Sequence, residues 1–406
     1  MRMLVLSGRV FYPATTGGTT RSSRLFERLA RDHDITIVSF KMPGDSPESL
    51  GMMQACCSRL ETVDWDESAK GTPRFYADVL KNVLSPKAFT VAKYDSPDMR
   101  RRIARLVARD SYDVLVADFL QPSINMLDTP FFPKILFQHN VESVIRRRQL
   151  TAAANPLLKA YLYWDWIRLK RFEARAAGTF DHCIMVSEQD CRTMQDLYGV
   201  TNTSAIPTGV DVDYFKPREP EAPGHHLVFT GSMDWFPNED AIRFFVAEVL
   251  PLVRRKLTVT AWIVGRNPTE SLLSLAQEHE EVRVTGTVPD VRPFIDRAGV
   301  YIVPLRIGGG TRIKIFEAMA MGKAIVSTTI GAEGLPVTNG ENIVLEDTAE
   351  GFASRVIELL ENPERRQRIG EAARALVVNH YTWDVAARRF TDICESVRAN
   401  GGRDRS

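Results

Sequence analysis

Residues 300–328 read VYIVPLRIGGGTRIKIFEAMAMGKAIVST, and this stretch joins two apolar runs through a glycine-rich loop and an Ala- and Met-rich segment. The runs at 300–305 and 323–328 are short and continuous, which is typical of buried parallel strands. The segment between them predicts a helix that ends at Gly322. The stretch therefore predicts a strand, a loop, a helix and a second strand, which is the repeating unit of an α/β sheet.

Short apolar runs alternate with helical patterns along the rest of the chain. The alternation predicts an α/β fold built from doubly wound parallel sheets. Helices are predicted near residues 20–31, 238–254, 349–361 and 382–399. The other predicted strands are 3–8, 35–40, 112–119, 134–140, 181–188, 227–232, 259–265, 282–286 and 342–345.

The length of 406 residues predicts two domains, because a single core rarely grows so large. The segment IPTGVDVDYFKPREPEAPGHH (206–226) is rich in proline and charge and lacks periodicity, as a linker does. We therefore predict one Rossmann-like domain at 1–210, a linker at 211–226 and a second domain at 227–380. Residues 381–406 are predicted to form a closing helix that packs back toward the first domain, and a tail.

Composition narrows the class of protein. The chain is 44% hydrophobic and 25% charged with a net charge of +1, so nothing in its overall charge indicates a nucleic-acid partner. Its five cysteines are scattered and lack metal-ligand spacing, which favours a reduced compartment. No apolar run reaches the roughly 20 residues that cross a bilayer. We expect a cytoplasmic protein, with peripheral contact at the inner face of the membrane.

Two segments predict that membrane contact. Residues 74–109 carry nine basic and three acidic side chains, and residues 143–175 include the aromatic run YLYWDWIRLKRF. Basic helices interleaved with tryptophan and tyrosine suit an anionic lipid surface. The alternative is a solvated face that covers a buried aromatic stripe.

The glycine loop at 308–310 predicts an anion site. A helix that begins after it offers unpaired N–H groups and a partial positive charge, and glycines let an anion approach the backbone. Arg312 and Lys314 add charge, and Glu317 follows one turn later, where it suits the hydroxyls of a ribose. These features together describe a nucleoside diphosphate. The spacing matches neither the P-loop nor the dinucleotide fingerprint, and a simple tight turn is the alternative.

A second glycine pair supports a ligand site. Gly17 and Gly18 follow the first predicted strand and precede a helix. In open α/β sheets, ligands bind at the carboxyl ends of the strands. We therefore expect one glycine loop of each domain to line a cleft.

The order of motifs resembles the retaining GT-B glycosyltransferases of family four, the glycosyl transferases group 1. Within that family the chain is most similar to enzymes associated with bacterial exopolysaccharide assembly. The resemblance implies transfer of a hexose from a nucleotide sugar and extends over almost the whole chain. It is carried by Gly17-Gly18, QHNVE (138–142), VSEQD (186–190), IPTGVDVDYFKP (206–217), FTGSMDWFPNEDA (229–241), WIVGRNP (262–268), VTGTVPDVRPFI (284–295), PLRIGGGTRIKIFEAMAMGKAIVSTTIGAEGL (304–335) and GENIVLED (340–347).

The resemblance implies that Glu317 binds the donor ribose. The family places a second glutamate eight positions earlier, on the donor sugar, where this chain has Gly309. The family also holds the diphosphate with an arginine and a lysine after the first strand of the second domain, where this chain has GSMDWFPN (231–238). We expect Arg312 and Lys314 to replace those cations.

Other residues are assigned to the donor by the same resemblance. His139 matches the histidine near the transferred sugar, and Gly17-Gly18 matches the segment that closes over the diphosphate. The family mechanism is a front-face displacement in which the leaving diphosphate takes the acceptor's proton, so it needs no protein nucleophile. We expect no metal ion and no cofactor beyond a UDP- or GDP-sugar substrate. The catalytic set is His139, Arg312 and Lys314, and the donor-binding set is Gly17, Gly18, Gly231, Ser232, Arg266, Gly308, Gly309, Gly310, Thr311 and Glu317.

The acceptor is expected to be a saccharide, lipid-linked in our interpretation. Two alternatives stay open at this point. A sugar-nucleotide epimerase can share the fold, although no acid/base pair is evident, and a non-catalytic nucleotide-sugar-binding scaffold would tolerate the change at Gly309.

Overall fold

A computed structural model describes residues 1–69, 71–153, 155–218, 224–307 and 313–401. The chain divides into two compact units, unit 1 with Met1–Pro207 and Ala386–Ser406, and unit 2 with Thr208–Val385. The domain boundaries predicted at residues 210, 226 and 380 remain predictions.

The described part of unit 1 is built on a seven-stranded sheet in the order β3-β2-β1-β4-β5-β6-β7. Neighbouring strands pair in parallel throughout. The strands are β1 (Arg2–Ser7), β2 (Asp34–Lys41), β3 (Arg59–Asp64), β4 (Val114–Asp118), β5 (Lys134–Phe137), β6 (His182–Met185) and β7 (Thr203–Ala205).

Helices connect these strands, as parallel pairing requires. Most begin at a serine, threonine or asparagine whose side chain accepts a hydrogen bond from the first turn. The helices of unit 1 are α1 (Gly17–Leu29), α2 (Pro47–Gln54), α3 (Pro73–Val83), α4 (Phe89–Ala92), α5 (Pro97–Arg109), a 3₁₀ turn (Gln121–Asn125), α6 (Glu142–Ala152), α7 (Pro156–Thr179) and α8 (Glu188–Tyr198).

Unit 2 repeats this design. Its described residues form a six-stranded parallel sheet in the order β10-β9-β8-β11-β12-β13. The strands are β8 (His226–Thr230), β9 (Thr260–Val264), β10 (Val282–Val284), β11 (Val300–Val303), β12 (Ile325–Ser327) and β13 (Val344–Leu345). The helices are α9 (Phe236–Phe244), a π-helical turn (Phe245–Val249), α10 (Leu250–Arg254), α11 (Glu270–Glu278), α12 (Arg292–Arg297), α13 (Ile313–Ala320), α14 (Ala349–Glu361), α15 (Pro363–His380) and α16 (Trp383–Gly401), within which the division between the units falls.

Two doubly wound sheets confirm the predicted fold class, and each predicted strand corresponds to an observed one. The sequence pattern did not predict β3 and β7, the two edges of the first sheet. β3 reads RLETVD and leaves most of its side chains partly exposed, so it lacks the apolar run of a buried strand. β7 contains three residues, which is too short for a pattern.

Candidate functional site

The strand orders mark one place on each sheet where a ligand can bind. In unit 1 the chain winds outward from β1 in one direction and from β4 in the other, and in unit 2 it does so from β8 and β11. Open α/β sheets bind ligands beyond the carboxyl ends of the strands at this switch point. The sequence-predicted residues that the structure describes lie at these two places, which we describe separately.

Glu317 lies in the switch-point site of unit 2. It belongs to α13, which follows β11 and the glycine loop, and its side chain is half-buried. Burial raises the pKa of this carboxyl group to about 7, against a smaller opposing effect of Lys314. A carboxylate in this position offers two acceptor oxygens and is costly to keep charged without a donor.

Lys314 lies one turn before Glu317 and contacts the first strand of the unit. Its Nζ donates to Oδ1 of Asn238 at 2.8 Å and lies 4.1 Å from the ring centroid of Phe229 in β8. Asn238, in α9, is oriented by a second bond, because its Nδ2 donates to the carbonyl of Ser232 at 2.7 Å. The ammonium group therefore lies over the end of β8.

Gly231 permits this arrangement because it has no side chain. A Cβ at position 231 would lie 2.7 Å from Nδ2 of Asn238 and 2.9 Å from Nζ of Lys314. Both distances are closer than real Cβ contacts. Gly231 thus leaves space that the lysine and the asparagine occupy.

Ser232 and Arg266, two predicted donor-binding residues, contact each other. Nε of Arg266 donates to Oγ of Ser232 at 3.0 Å, and that hydroxyl donates to Asp234 at 2.5 Å. Nδ2 of Asn267 donates to the other oxygen of Asp234 at 3.0 Å. These hydrogen bonds, with that of Ser232 first, lower the pKa of Asp234. The loops after β8 and β9 are therefore joined by a polar network.

The switch-point site of unit 1 centres on a buried histidine. His139 follows β5, and its Nε2 lies 2.7 Å from Oδ1 of Asp118, the last residue of β4. Oγ of Ser22 in α1 donates to the other oxygen of Asp118 at 2.7 Å. Burial lowers the pKa of His139, so the neutral ring donates from Nε2 and keeps a lone pair on Nδ1. Within the described residues, that Nδ1 is buried and has no hydrogen-bond partner.

Phe119 and Gly18 fix the plane of this imidazole. The rings of Phe119 and His139 stack with centroids 3.8 Å apart and planes 4° apart. Phe119 has a φ of 75°, a left-handed conformation that is unusual for an aromatic residue. A Cβ on Gly18 would lie 2.8 Å from the Phe119 ring. Gly17, by contrast, is the exposed first residue of α1.

Arg21 is a fully buried cation next to the same network. Its guanidinium donates to the carbonyl of Ile206 and lies 4.7 Å from the ring centroid of Phe137. Burial lowers its pKa to about 9, and Asp118 acts in the opposite direction. Arg21 thus joins the first turns of α1 to the segment that follows β7.

A buried carboxylate holds the loop that carries His139. Glu173, in α7, accepts from the backbone N–H groups of Glu142 and Ser143, which open α6, at 2.8 and 3.2 Å. It also accepts from Nε2 of Gln138 at 2.6 Å and from the Tyr198 hydroxyl at 2.7 Å. Residues 138–143 are therefore fixed on both sides of the histidine.

Family models match two separate stretches of the chain. The model described as Glycosyltransferase Family 4 matches residues 15–214, and the one described as Glycosyl transferases group 1 matches residues 224–362. The chain belongs to this glycosyltransferase family. The family named by resemblance is thereby confirmed, and the protein is a glycosyltransferase enzyme.

Named relatives of this glycosyltransferase include a GDP-mannose-dependent monoacylated alpha-(1-6)-phosphatidylinositol monomannoside mannosyltransferase of Corynebacterium glutamicum. The two are 26% identical over 57% of this chain and 67% of the relative. An uncharacterized 44.6 kDa protein in the cps region of Klebsiella pneumoniae is 21% identical over 94% of this chain and 96% of its own length, in agreement with the resemblance to exopolysaccharide enzymes. A phosphatidyl-myo-inositol mannosyltransferase of Mycolicibacterium smegmatis is 30% identical, but this chain spans only 58% of it.

Solved structures confirm the GT-B fold of the glycosyltransferase. Sucrose-phosphate synthase from Thermosynechococcus elongatus matches with a TM-score of 0.69 at 17% identity, over 98% of this chain and 100% of that one. HepE of Anabaena, crystallised with UDP, matches with a TM-score of 0.70 at 13% identity and the same coverage. At these identities the likeness concerns the fold.

Part of the predicted donor site falls outside the described residues of the glycosyltransferase. These residues are Gly308, Gly309, Gly310, Thr311 and Arg312, so their predicted roles stay predictions. The structure does bring Lys314 to Gly231 and Ser232 to Arg266. Four further residues of the two sites were not predicted, because only tertiary contacts reveal their parts: Asn238, Asp118, Ser22 and Glu173.

Most basic side chains of the segment 74–109 of the glycosyltransferase pair with acids. Arg100 and Lys87 both contact Asp95, and Arg102 contacts Glu61. Exposed apolar side chains concentrate instead at α3 and at the start of α7. Across the ranges that the structure describes, no helix combines the length and apolarity needed to cross a membrane, and no group of three potential metal-ligating side chains occurs.

Proposed function

We propose that this glycosyltransferase moves a hexose from a nucleoside diphosphate sugar to a saccharide acceptor with retention of anomeric configuration. The observation that carries the proposal is the placement of Glu317 and Lys314 together on α13, at the switch point of unit 2. A ribose needs a hydrogen-bond acceptor and a diphosphate needs a cation, and the two side chains lie one helical turn apart on α13.

Glu317 and Lys314 have different roles in the proposed donor site. The Glu317 carboxylate accepts hydrogen bonds from the two ribose hydroxyls, and Lys314, oriented by Asn238, stabilises charge that develops on the leaving diphosphate. Arg312 and the glycine loop add further donors in this proposal. A UDP- or GDP-sugar is the expected donor, because one relative is named as GDP-mannose-dependent and HepE was crystallised with UDP.

His139 is proposed to contact the transferred hexose. Its Nε2 donates to Asp118, which leaves Nδ1 as an acceptor for a sugar hydroxyl. The family mechanism supports retention, since the leaving diphosphate takes the acceptor's proton and no protein nucleophile is required. Catalysis then rests on placing charge where the transition state develops it.

The acceptor is proposed to be a lipid-linked saccharide at an anionic membrane. Leu84, after α3, is 92% exposed and Leu157, in α7, is 83% exposed. Nε1 of Trp164 donates to the carbonyl of Val83 at 3.1 Å, which places the two helices side by side. Lys81 and Lys159 lie on the same two helices, so the surface combines apolar and cationic side chains, as interfacial helices do.

Vesicle flotation tests this membrane surface. Wild-type protein should float with vesicles that contain phosphatidylglycerol and much less with pure phosphatidylcholine. A double variant, Leu84→Ser with Leu157→Ser, should lose flotation, whereas Leu273→Ser, at an exposed leucine of unit 2, should not. Equal flotation of all three proteins would contradict the proposal that this surface binds the membrane.

Thermal shift measurements test the donor site. UDP, GDP, ADP and their hexose conjugates are added with and without Mg²⁺ to wild type, Glu317→Ala and Glu341→Ala, the last at an exposed glutamate of unit 2. One nucleotide should raise the melting temperature of wild type and Glu341→Ala and raise that of Glu317→Ala far less. A panel without any shift would contradict the donor site and favour a scaffold.

Product analysis then separates transfer from epimerisation. With donor alone, an epimerase releases a sugar isomer, whereas a transferase gives only slow hydrolysis. With acceptor present, NMR of the new glycosidic bond reports its anomeric configuration. An inverted product would overturn retention while leaving the donor site intact.

A further inference from the structure

A cavity lies beside the edge strand β3, outside the two switch-point sites, and it shares Lys81 with the membrane surface proposed above. It is partly open to solvent and has a volume of about 350 Å³, which is within the range of small-ligand sites. The loop after β3 forms one wall, and α3 and α4 form the others. The cavity is lined by Trp65, Asp66, Glu67, Ser68, Asp78, Lys81, Asn82, Phe89, Ala92 and Lys93.

The aromatic wall of the cavity is held by contacts of Trp65. The ring of Trp65 stacks on Tyr94 with centroids 4.8 Å apart and planes 24° apart, and its Nε1 donates to the carbonyl of Lys93 at 2.9 Å. Phe89 adds a second aromatic side chain. Because Trp65 is anchored on one face and at its nitrogen, it offers a preorganised apolar surface to a ligand.

One polar group of the wall lacks a partner. Asn82 is 6% exposed, and its Nδ2 donates to the carbonyl of Lys87 at 3.2 Å, which orients the amide. Its Oδ1 is buried and has no hydrogen-bond partner in the part of the chain that the structure describes. A buried acceptor without a donor is costly, so a ligand that brings a hydroxyl group would be stabilised there.

The charges of the lining select among ligand classes. Asp66 pairs with Arg74 at 2.6 Å, and Glu67 pairs with Lys93. Asp78 is a third carboxylate, against the two lysines of the lining. Three carboxylates disfavour a phosphate or another anion, whereas carboxylate, amide and ammonium groups together suit a neutral molecule rich in hydroxyls.

The cavity and His139 both lie beside the sheet of unit 1. The loop after β3 leaves from the carboxyl edge of the sheet, and β3 is two strands from β1, or about 10 Å at the usual spacing. Arg9, in the loop after β1, interacts with the Tyr94 hydroxyl and with Glu67. The loop after β1 thus connects the switch point of unit 1 to the cavity wall.

We propose that this cavity binds a neutral pyranose ring of the saccharide acceptor, at a position remote from the reacting hydroxyl. The inference rests on the proposed function. Trp65 stacks on the apolar face of the sugar, Asn82 Oδ1 accepts one hydroxyl, and Asp78 accepts another. The cavity thereby selects the acceptor without contacting the bond that forms.

Ligand-observed saturation-transfer NMR tests the site with the methyl glycosides of glucose, galactose, mannose and N-acetylglucosamine. At least one should receive saturation from the wild-type protein. Ser68→Trp fills the cavity and should weaken that binding by about tenfold or more. Ala69→Trp changes an exposed neighbour outside the lining and should bind as wild type does. Asp78→Ala, at the surface of α3, should weaken binding without filling the space.

Donor binding is measured on the same samples, so the two proposals fail separately. Ser68→Trp should retain the nucleotide-induced rise in melting temperature, because Ser68 belongs to unit 1 and the donor residues tested belong to unit 2. Equal saccharide binding by wild type, Ser68→Trp and Asp78→Ala would overturn the cavity proposal, as would the absence of saturation for all four glycosides. If no nucleotide raised the melting temperature of the wild-type protein, the donor-site proposal would be overturned instead.

Discussion

Nε2 of His139 lies 2.7 Å from Oδ1 of Asp118, while Nδ1 of the same ring faces the segment at Gly18. The carboxylate accepts a hydrogen bond from Nε2–H and thereby selects the tautomer that carries its proton on Nε2. Ser22 holds the other carboxylate oxygen, so Asp118 cannot rotate freely. We infer that Asp118 is a positioning residue, which acts on the hexose through His139.

Asp118→Asn should reduce turnover by roughly 10- to 100-fold with little change in the KM for the donor. The asparagine amide can donate to Nε2, which moves the imidazole proton to Nδ1 and removes the acceptor. Nitrogen NMR of labelled histidine should report that change of tautomer, which a purely structural defect would not produce. Asp98→Asn, in an exposed pair with Arg101, is the control and should behave as wild type. An unchanged tautomer in Asp118→Asn would contradict the assignment.

Donor affinity should rise with pH because burial raises the pKa of Glu317 to about 7. Only the ionised carboxylate accepts from both ribose hydroxyls, and at pH 6 about one tenth of it is ionised. A nucleotide sugar should therefore bind about tenfold more weakly at pH 6 than at pH 8. Its diphosphate is esterified at both ends and does not titrate in this range. Calorimetry at several pH values measures the effect, and Glu317→Gln should remove the pH dependence.

The same shift predicts the pH dependence of stability. The folded-state pKa of Glu317 lies above the unfolded value, so its contribution is fully present below about pH 4 and is lost as the pH rises through about 7. Glu317→Gln should therefore raise the free energy of unfolding by about 1–2 kcal/mol at pH 8, after allowance for water at the half-buried group, and by almost nothing at pH 4. Urea unfolding at the two pH values is the measurement. An equal effect at both would contradict the shifted pKa.

Gly231→Ala should weaken donor binding by about tenfold or more. The added Cβ would lie 2.7 Å from Asn238 and 2.9 Å from Lys314, so one of these side chains must move. Calorimetry with the nucleotide that gives the thermal shift measures the loss. Gly51→Ala is the matched control, because a Cβ at that position in α2 meets open space. If both variants bound the donor equally well, the geometry of the β8 loop would be irrelevant to it.

The fold could be predicted from the sequence because buried parallel strands leave continuous apolar runs. The edge strands were not predicted for the opposite reason, since β3 leaves most of its side chains partly exposed and β7 is three residues long. Lys314 and Glu317 could be predicted to lie close together because they share one helix. The contact of Lys314 with Asn238 could not be predicted, because the two residues are 76 positions apart and only tertiary packing joins them.

The position of Glu173 on α7 is one feature of the sequence that indicates a buried carboxylate. Leu169, Ala176 and Ala177 are buried on α7, and Glu173 lies four residues after the first and three before the second. A glutamate on the buried face of a helix is rarely left unpaired. The position alone therefore indicates a buried carboxylate that needs donors, although the sequence does not show which donors these are.

Glu173→Ala should destabilise the protein by about 3–5 kcal/mol, because it leaves four donors without their acceptor. Two of these donors are the backbone N–H groups that open α6, so the loop with His139 should also loosen and turnover should fall. Glu173→Gln keeps one carbonyl oxygen and should lose roughly half as much stability. Glu395→Ala, at an exposed position of α16, should change stability by less than about 0.5 kcal/mol. Urea unfolding ranks the three variants, and a loss below about 1 kcal/mol for Glu173→Ala would mean that water, rather than protein, satisfies those donors.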